Sequence, residues 1–172
     1  GPLFEEAGKR GATALLATLL TKDTRRRSAA AVAQYIEEIG GSFYPFSGNN
    51  SLGLGAEVLP PDIDRAIALI SEAVLQPAFR AATFKLERDA QVASLQQDDD
   101  DVVTLARKHL REKFFGTHPL ALDPHGDQAG LKAKLAPWLP ADLAPILSEL
   151  PVEQLAALFR GCSKELAAAV FS

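Results

Sequence analysis

Apolar residues near the start of the chain fall at helical spacing. Ala12, Leu15, Leu16, Leu19 and Leu20 occupy i, i+3, i+4, i+7 and i+8, which predicts an amphipathic helix with its stripe in a core. A second helix is expected from Ala29 to Ile39, with Ser28 as its N-cap and Gly40-Gly41 as its stop. The period then changes to alternation. Ser42 to Ser47 and Asn50 to Leu59 read as two strands joined through Gly48-Asn49-Asn50, a β-hairpin. Gly53 and Gly55 weaken the second strand and let another backbone approach closely.

Pro60-Pro61 opens a helix that carries Ile63, Ala66, Ile67, Ile70 and Val74 on its apolar face and runs to about Gln76. Another helix spans about Ala81 to Gln97, with Phe84, Val92 and Leu95 inward, and breaks at Asp98 to Asp101. That acidic run lacks the alternating ligands and central glycine of a calcium loop and reads as helix-capping and solvated. Val102 to Phe115 is the next helix, stopped by Gly116. Beyond the Thr117 to Asp127 loop, the prolines allow only short helices, at Ala141 to Leu147 and Val152 to Phe159. Glu165 to Phe171 reads as a closing strand. The order of elements predicts an α+β fold: a two-layer sandwich of a mainly antiparallel β-sheet with helices packed on one face.

Composition narrows the function classes. At 47% hydrophobic and 23% charged the chain reads as a soluble globular domain, and a net charge of −4 gives no general reason to bind nucleic acid. The basic group Lys22, Arg25, Arg26 and Arg27 lacks aromatic neighbours and reads as a solvated turn. One cysteine, Cys162, excludes an internal disulfide framework. No stretch reaches the roughly 18 to 20 apolar residues of a membrane span, and the compartment stays open between bacterial periplasm and cytoplasm. The absence of methionine suggests a piece of a longer chain. His109, His118 and His125 have no H-x-x-x-H spacing, no G-x-S-x-G elbow is present, and Gly53-Leu54-Gly55 lacks the further glycine and lysine of a phosphate loop.

Gly11, Lys22, Thr24, Ile36, Glu37, Gly40 and Gly41 fall where the pitrilysin/insulinase family of inverted zincins has a glycine before H-x-x-E-H, a lysine-glycine-threonine-like turn and an Ile-Glu-x-x-Gly-Gly helix end, and the segment resembles that family's active-site helix. The resemblance continues through Phe84, Glu87 and Arg88 of an F-x-x-E-R helix, the Phe115-Gly116-Thr117-His118-Pro119 loop, with Leu120 where tyrosine is usual, and the Leu150 to Ser172 close. It implies one inverted-zincin-like domain over residues 1–172, lacking its first strands, with Lys134 to Glu149 as an insertion. The positions that hold the zinc ligands and the general base in that family carry Ala14, Ala17, Thr18 and Ser94.

The resemblance therefore implies a catalytically inactive domain with no cofactor in this chain, zinc being expected only in a catalytic partner. Such a domain pairs with an H-x-x-E-H-bearing domain or subunit, closes a peptide-binding chamber and holds extended polypeptide as an added strand. The edge it would use is Ser42, Phe43, Tyr44 and Phe46. Alternation requires either Phe43 and Pro45 or Tyr44 and Phe46 to pack inward, and Pro45 removes one ladder donor. The other reading the resemblance allows is a structural assembly subunit of a larger complex, similar to respiratory-complex core proteins.

Overall fold

Of the nine residues of α1 (Ala12–Leu20), every one but Thr18 is buried. The computed structural model describes residues 2–5 and 9–126, and α1 is their centre. It is followed by α2 (Ala29–Glu37), the strands β1 (Ser42–Ser47) and β2 (Leu52–Glu57), α3 (Ile63–Leu75), α4 (Ala81–Asp100) and α5 (Val102–Phe115). The elements expected at Ala141–Leu147, Val152–Phe159 and Glu165–Phe171, the Lys134–Glu149 stretch and Cys162 lie outside the described residues.

Gly11, at φ 86°, starts α1 without a capping side chain. The carboxylate of Glu5 takes over that task, accepting from the amides of Gly11 (3.1 Å) and Thr13 (2.7 Å) at the positive end of the helix. A Cβ at position 11 would lie 2.3 Å from the His125 carbonyl oxygen, so glycine is required both by the backbone angle and by the close approach of that loop. The Gln91 side chain then ties the two together, donating to the carbonyls of Gly11 (3.1 Å) and His125 (2.7 Å).

Leu15, Leu16, Leu19 and Leu20 of α1 pack with Leu54, Ala73, Phe84, Val92 and Leu95 into the larger core cluster. Each fully buried leucine contributes roughly 2 kcal/mol of transfer free energy. A second cluster joins Val32, Ile36, Ile39 and Leu69, and Phe43 packs against both. β1 and β2 pair antiparallel in the register Tyr44 to Gly55 and Phe46 to Gly53. The helices cover the face of the hairpin that carries Phe43 and Leu54, while Tyr44 and Phe46 stay exposed on the other. The architecture is α+β.

Several boundaries move. α2 stops at Glu37 rather than Ile39, because Gly40 at φ 63° lets the Gly41 amide reach back to the Ile36 carbonyl (3.0 Å). β2 is shorter than Asn50 to Leu59, its ends taken by the Gly48 to Ser51 turn and by a 3₁₀ turn at Pro60–Asp62. The buried stripe of α3 is Ala66, Leu69 and Ala73, with Ile63 exposed. α4 continues through Asp98 to Asp100 instead of breaking there. Lys108 of α5 lies 3.9 Å from Asp98 and 3.1 Å from Asp99, relieving repulsion in the last turn. Asp101 caps α5, accepting from the Thr104 amide at 3.0 Å.

The arginine turn is likewise only partly solvated. Arg25 and Arg26 are exposed, but Arg27 pairs with the Glu72 carboxylate and lies 4.4 Å over the Tyr35 ring. Thr24, fully buried, donates its hydroxyl to Glu72 and accepts from the amides of Arg26 (3.2 Å) and Arg27 (2.8 Å). Beside it Asp23, also buried, accepts from the Ala29 amide (2.9 Å) and the Thr83 hydroxyl, with Arg80 3.6 Å away. These contacts fasten the α1–α2 connection to α3 and to the start of α4.

Candidate functional site

Phe43 and Pro45 point towards the helices and Ser42, Tyr44 and Phe46 point away, so the alternation resolves in one direction. The Phe43 side chain is part of the packing, and only its backbone is presented at the strand edge. The Gly48 amide donates to the Ser51 carbonyl (2.8 Å), which sets the parity of the ladder. Even-numbered residues of β1 turn their backbone groups to β2; Phe43, Pro45 and Ser47 turn theirs to the opposite edge. Among the described residues β1 pairs only with β2. Pro45 therefore sits where its missing N–H costs the hairpin nothing, and that edge offers the N–H and C=O of Phe43 and Ser47 and the C=O of Pro45.

Phe43→Ala is expected to lower stability by about 2 kcal/mol, a partly buried aromatic being lost from two clusters. Tyr44→Ala should move the denaturation midpoint far less. Equal losses in a urea titration would show that the faces are assigned wrongly.

Gly53 and Gly55 do not admit another backbone, as expected from the sequence; they admit rings. A Cβ at Gly53 would lie 2.2 Å from Cζ of Phe46, and one at Gly55 2.5 Å from Cε2 of Tyr44. Each aromatic thus lies flat across the strand over a glycine. The Tyr44 hydroxyl reaches the Glu57 carboxylate at 3.1 Å, and that hydrogen bond and charge hold the phenol above its ordinary pKa.

The helices that would carry a metal site do meet: α1 and α4 pack together, with Leu15, Leu16, Val92 and Leu95 in one cluster. Ala14 and Ala17 of α1 are buried, the Thr18 hydroxyl donates back to the Ala14 carbonyl (3.2 Å), and Ser94 of α4 is exposed. Two methyl groups and two hydroxyls do not fit zinc, which takes imidazole, thiolate or carboxylate. Glu87, which the resemblance retains, pairs with Lys22 across the α1–α4 contact at 3.0 Å.

The histidines are spread out. His109 is exposed and 3.3 Å from Glu112 one turn on, and His118 accepts from the Leu120 amide at 3.2 Å. His125 lies beside Asp123, which receives its amide at 2.9 Å. Among the described residues no three His, Cys, Asp or Glu side chains gather where they could hold a metal. No described helix is long and apolar enough to cross a membrane.

Lys108, Asp123 and His125 form a charge cluster missed in the sequence because it joins α5 to a loop. Burial alone would lower the Lys108 pKa, and Asp99, Asp123 and Asp98 more than offset it and hold it raised. Burial would raise Asp123; its hydrogen bonds from His125 and the Lys108 charge leave it lowered instead. The bond to Asp123 raises His125 against the effect of burial. The His125 contribution to stability is complete below its ordinary value of 6.5 and is lost as pH rises through the folded value. That of Asp123 is complete above 3.8 and is lost as pH falls through its lowered value. Protection of the Gly126 amide, which donates to the Asp123 carbonyl at 3.1 Å, should therefore be greatest between those values and decline as pH rises through the raised His125 value. Hydrogen exchange corrected for intrinsic rates checks this.

Among the described residues, an antiparallel hairpin set on a buried helix, with β1 paired only to β2, defines an α+β domain in which Ala14, Ala17, Thr18 and Ser94 supply no metal-binding side chain. The insulinase profile, peptidase family M16, matches residues 1–126, and the chain belongs to that family. An uncharacterized zinc protease of Mycobacterium leprae is 30% identical over 133 residues, 77% of this chain and 30% of that protein. Cytochrome b-c1 complex subunit 1 of Homo sapiens mitochondria is 25% identical over 148 residues, 86% of this chain and 30% of that protein. A solved peptidase M16 inactive domain from Pseudomonas fluorescens has a similar fold, with a TM-score of 0.69 at 23% identity over 84% of this chain and 34% of that one. The chain thus spans about a third of the length of these relatives.

Proposed function

We propose that residues 1–172 form the non-catalytic member of an M16 pair: a domain that joins an H-x-x-E-H-bearing domain or subunit, closes a peptide-binding chamber with it, and holds extended polypeptide along β1. Zinc and the general base belong to the partner. The observation that carries this reading is the contrast within one fold. The positions that the resemblance assigns to the zinc ligands and base hold Ala14, Ala17, Thr18 and Ser94, whereas among the described residues the strand after the Gly40-Gly41 helix end pairs on one side only. A strand edge binds peptide by main-chain hydrogen bonds and needs no reactive side chain. The similarity to a solved inactive domain of the same family supports it.

The similarity to cytochrome b-c1 complex subunit 1 favours a second reading, a structural subunit of a larger assembly. One experiment separates the two. The full-length protein is captured with its natural partners, and the eluate is assayed on unstructured peptides with and without a zinc chelator. Chelator-sensitive cleavage that this chain lacks by itself is the expected result; a stable complex without peptidase activity would transfer the assignment to the structural reading.

A further inference from the structure

Two features of the hairpin lie side by side and have one ligand chemistry in common. On the outer face, Tyr44 and Phe46 lie over Gly55 and Gly53 so closely that a methyl group at either glycine would collide with the ring. Along the adjoining edge run the outward backbone groups of Phe43, Pro45 and Ser47. We propose that the two rings form a shelf that selects which extended segments β1 accepts: segments with two apolar side chains separated by one residue, and no acidic residue beside them. The inference rests on the reading of β1 as a peptide-pairing edge.

A strand added to β1 places alternate side chains on the outer face, so its residues opposite Tyr44 and Phe46 are two apart and meet the two rings as cross-strand neighbours. Flattening the rings over glycine leaves their outer halves uncovered, with Tyr44 41% and Phe46 50% exposed. The hydrogen bond from the Tyr44 hydroxyl to Glu57 fixes the first ring. Glu57 has no ion-pair partner among the described residues, so its charge disfavours an acidic side chain on the shelf. The added strand runs antiparallel to β1, so that the residue between the two apolar ones faces Pro45, donates its N–H to the proline carbonyl and receives nothing in return.

The test uses the full-length protein and short blocked serine–threonine peptides carrying two phenylalanines, titrated by fluorescence anisotropy. In one peptide a single residue separates the phenylalanines; in the other they are adjacent, so composition is equal but only one ring can face the shelf. The spaced peptide should bind about tenfold tighter. The preference should fall below about twofold in the Tyr44→Ser, Phe46→Ser double variant and persist in Phe46→Leu, which keeps an apolar surface if the double variant folds poorly. N-methylation of the intervening residue should abolish binding, and N-methylation of the phenylalanines should not. Equal binding of the two peptides with that methylation pattern intact would overturn the shelf and leave the edge standing. Insensitivity to methylation, or no binding of either peptide, would overturn both.

Discussion

Replacing Glu72 with alanine is expected to cost about 2–4 kcal/mol of folding stability, read as a shifted midpoint in urea denaturation. Glu72 is 9% exposed and serves two partners on the α1–α2 connection, the Thr24 hydroxyl and the Arg27 guanidinium. Removing it leaves a fully buried hydroxyl without its acceptor and a charge without its counterion, and each loss is a desolvation penalty as well as a lost bond. Arg27 retains 29% of its side-chain exposure and its place over Tyr35, which keeps the loss at the lower end for a broken buried pair. Glu72→Gln should recover part of the loss, because an amide still accepts from Thr24 but carries no charge for Arg27. Glu72→Ala and Arg27→Ala together should cost less than the sum of the singles. Additive losses would show that the pair does not act as one unit.

That network was not legible in the sequence, whereas its surroundings were. Leu15, Leu16, Leu19 and Leu20 announced a buried stripe because helical period is a local property, and all four are in the core. The partner of Arg27 lies 45 residues away, and a charge among arginines gives no sign of which carboxylate the fold will bring to it. The acidic run at Asp98 misled for a related reason. Aspartate is a poor helix former, yet a lysine one helix further on kept the last turn of α4 in place. The hairpin lay between these cases. Its strands were visible from alternation, but alternation is symmetrical between faces. The signal that could have broken the symmetry was the glycine pair on β2: a hairpin closed by a four-residue turn sets Gly53 and Gly55 opposite Phe46 and Tyr44, and large rings cover glycines on an open face.

Ala17→Glu, which puts an acidic residue where the family resemblance places that of H-x-x-E-H, is expected to destabilise the domain by about 3–5 kcal/mol at neutral pH rather than to prepare it for catalysis. Ala17 is 1% exposed, between turns whose Leu16 and Leu20 are sealed in the core. Of the nearby hydroxyls, that of Thr18 already donates to the Ala14 carbonyl and that of Thr21, one turn on, to the Thr18 carbonyl. Burial of a carboxylate there raises its pKa above the unfolded value of about 4.3. The linkage has a definite sign. A group whose folded pKa is raised binds its proton more tightly in the native state, so the charge penalty is absent below the unfolded value and grows as pH rises through the folded one. Ala17→Gln, equal in size and uncharged, should match Ala17→Glu near pH 4 and exceed it in stability near pH 8. Identical pH profiles would mean that the loss is steric alone. A stable Ala17→Glu protein that binds zinc once Ala14→His and Thr18→His are added would show that this face of α1 is still an open cleft. The burial of Ala14 and Ala17 argues the reverse: that face of the helix is packed as core.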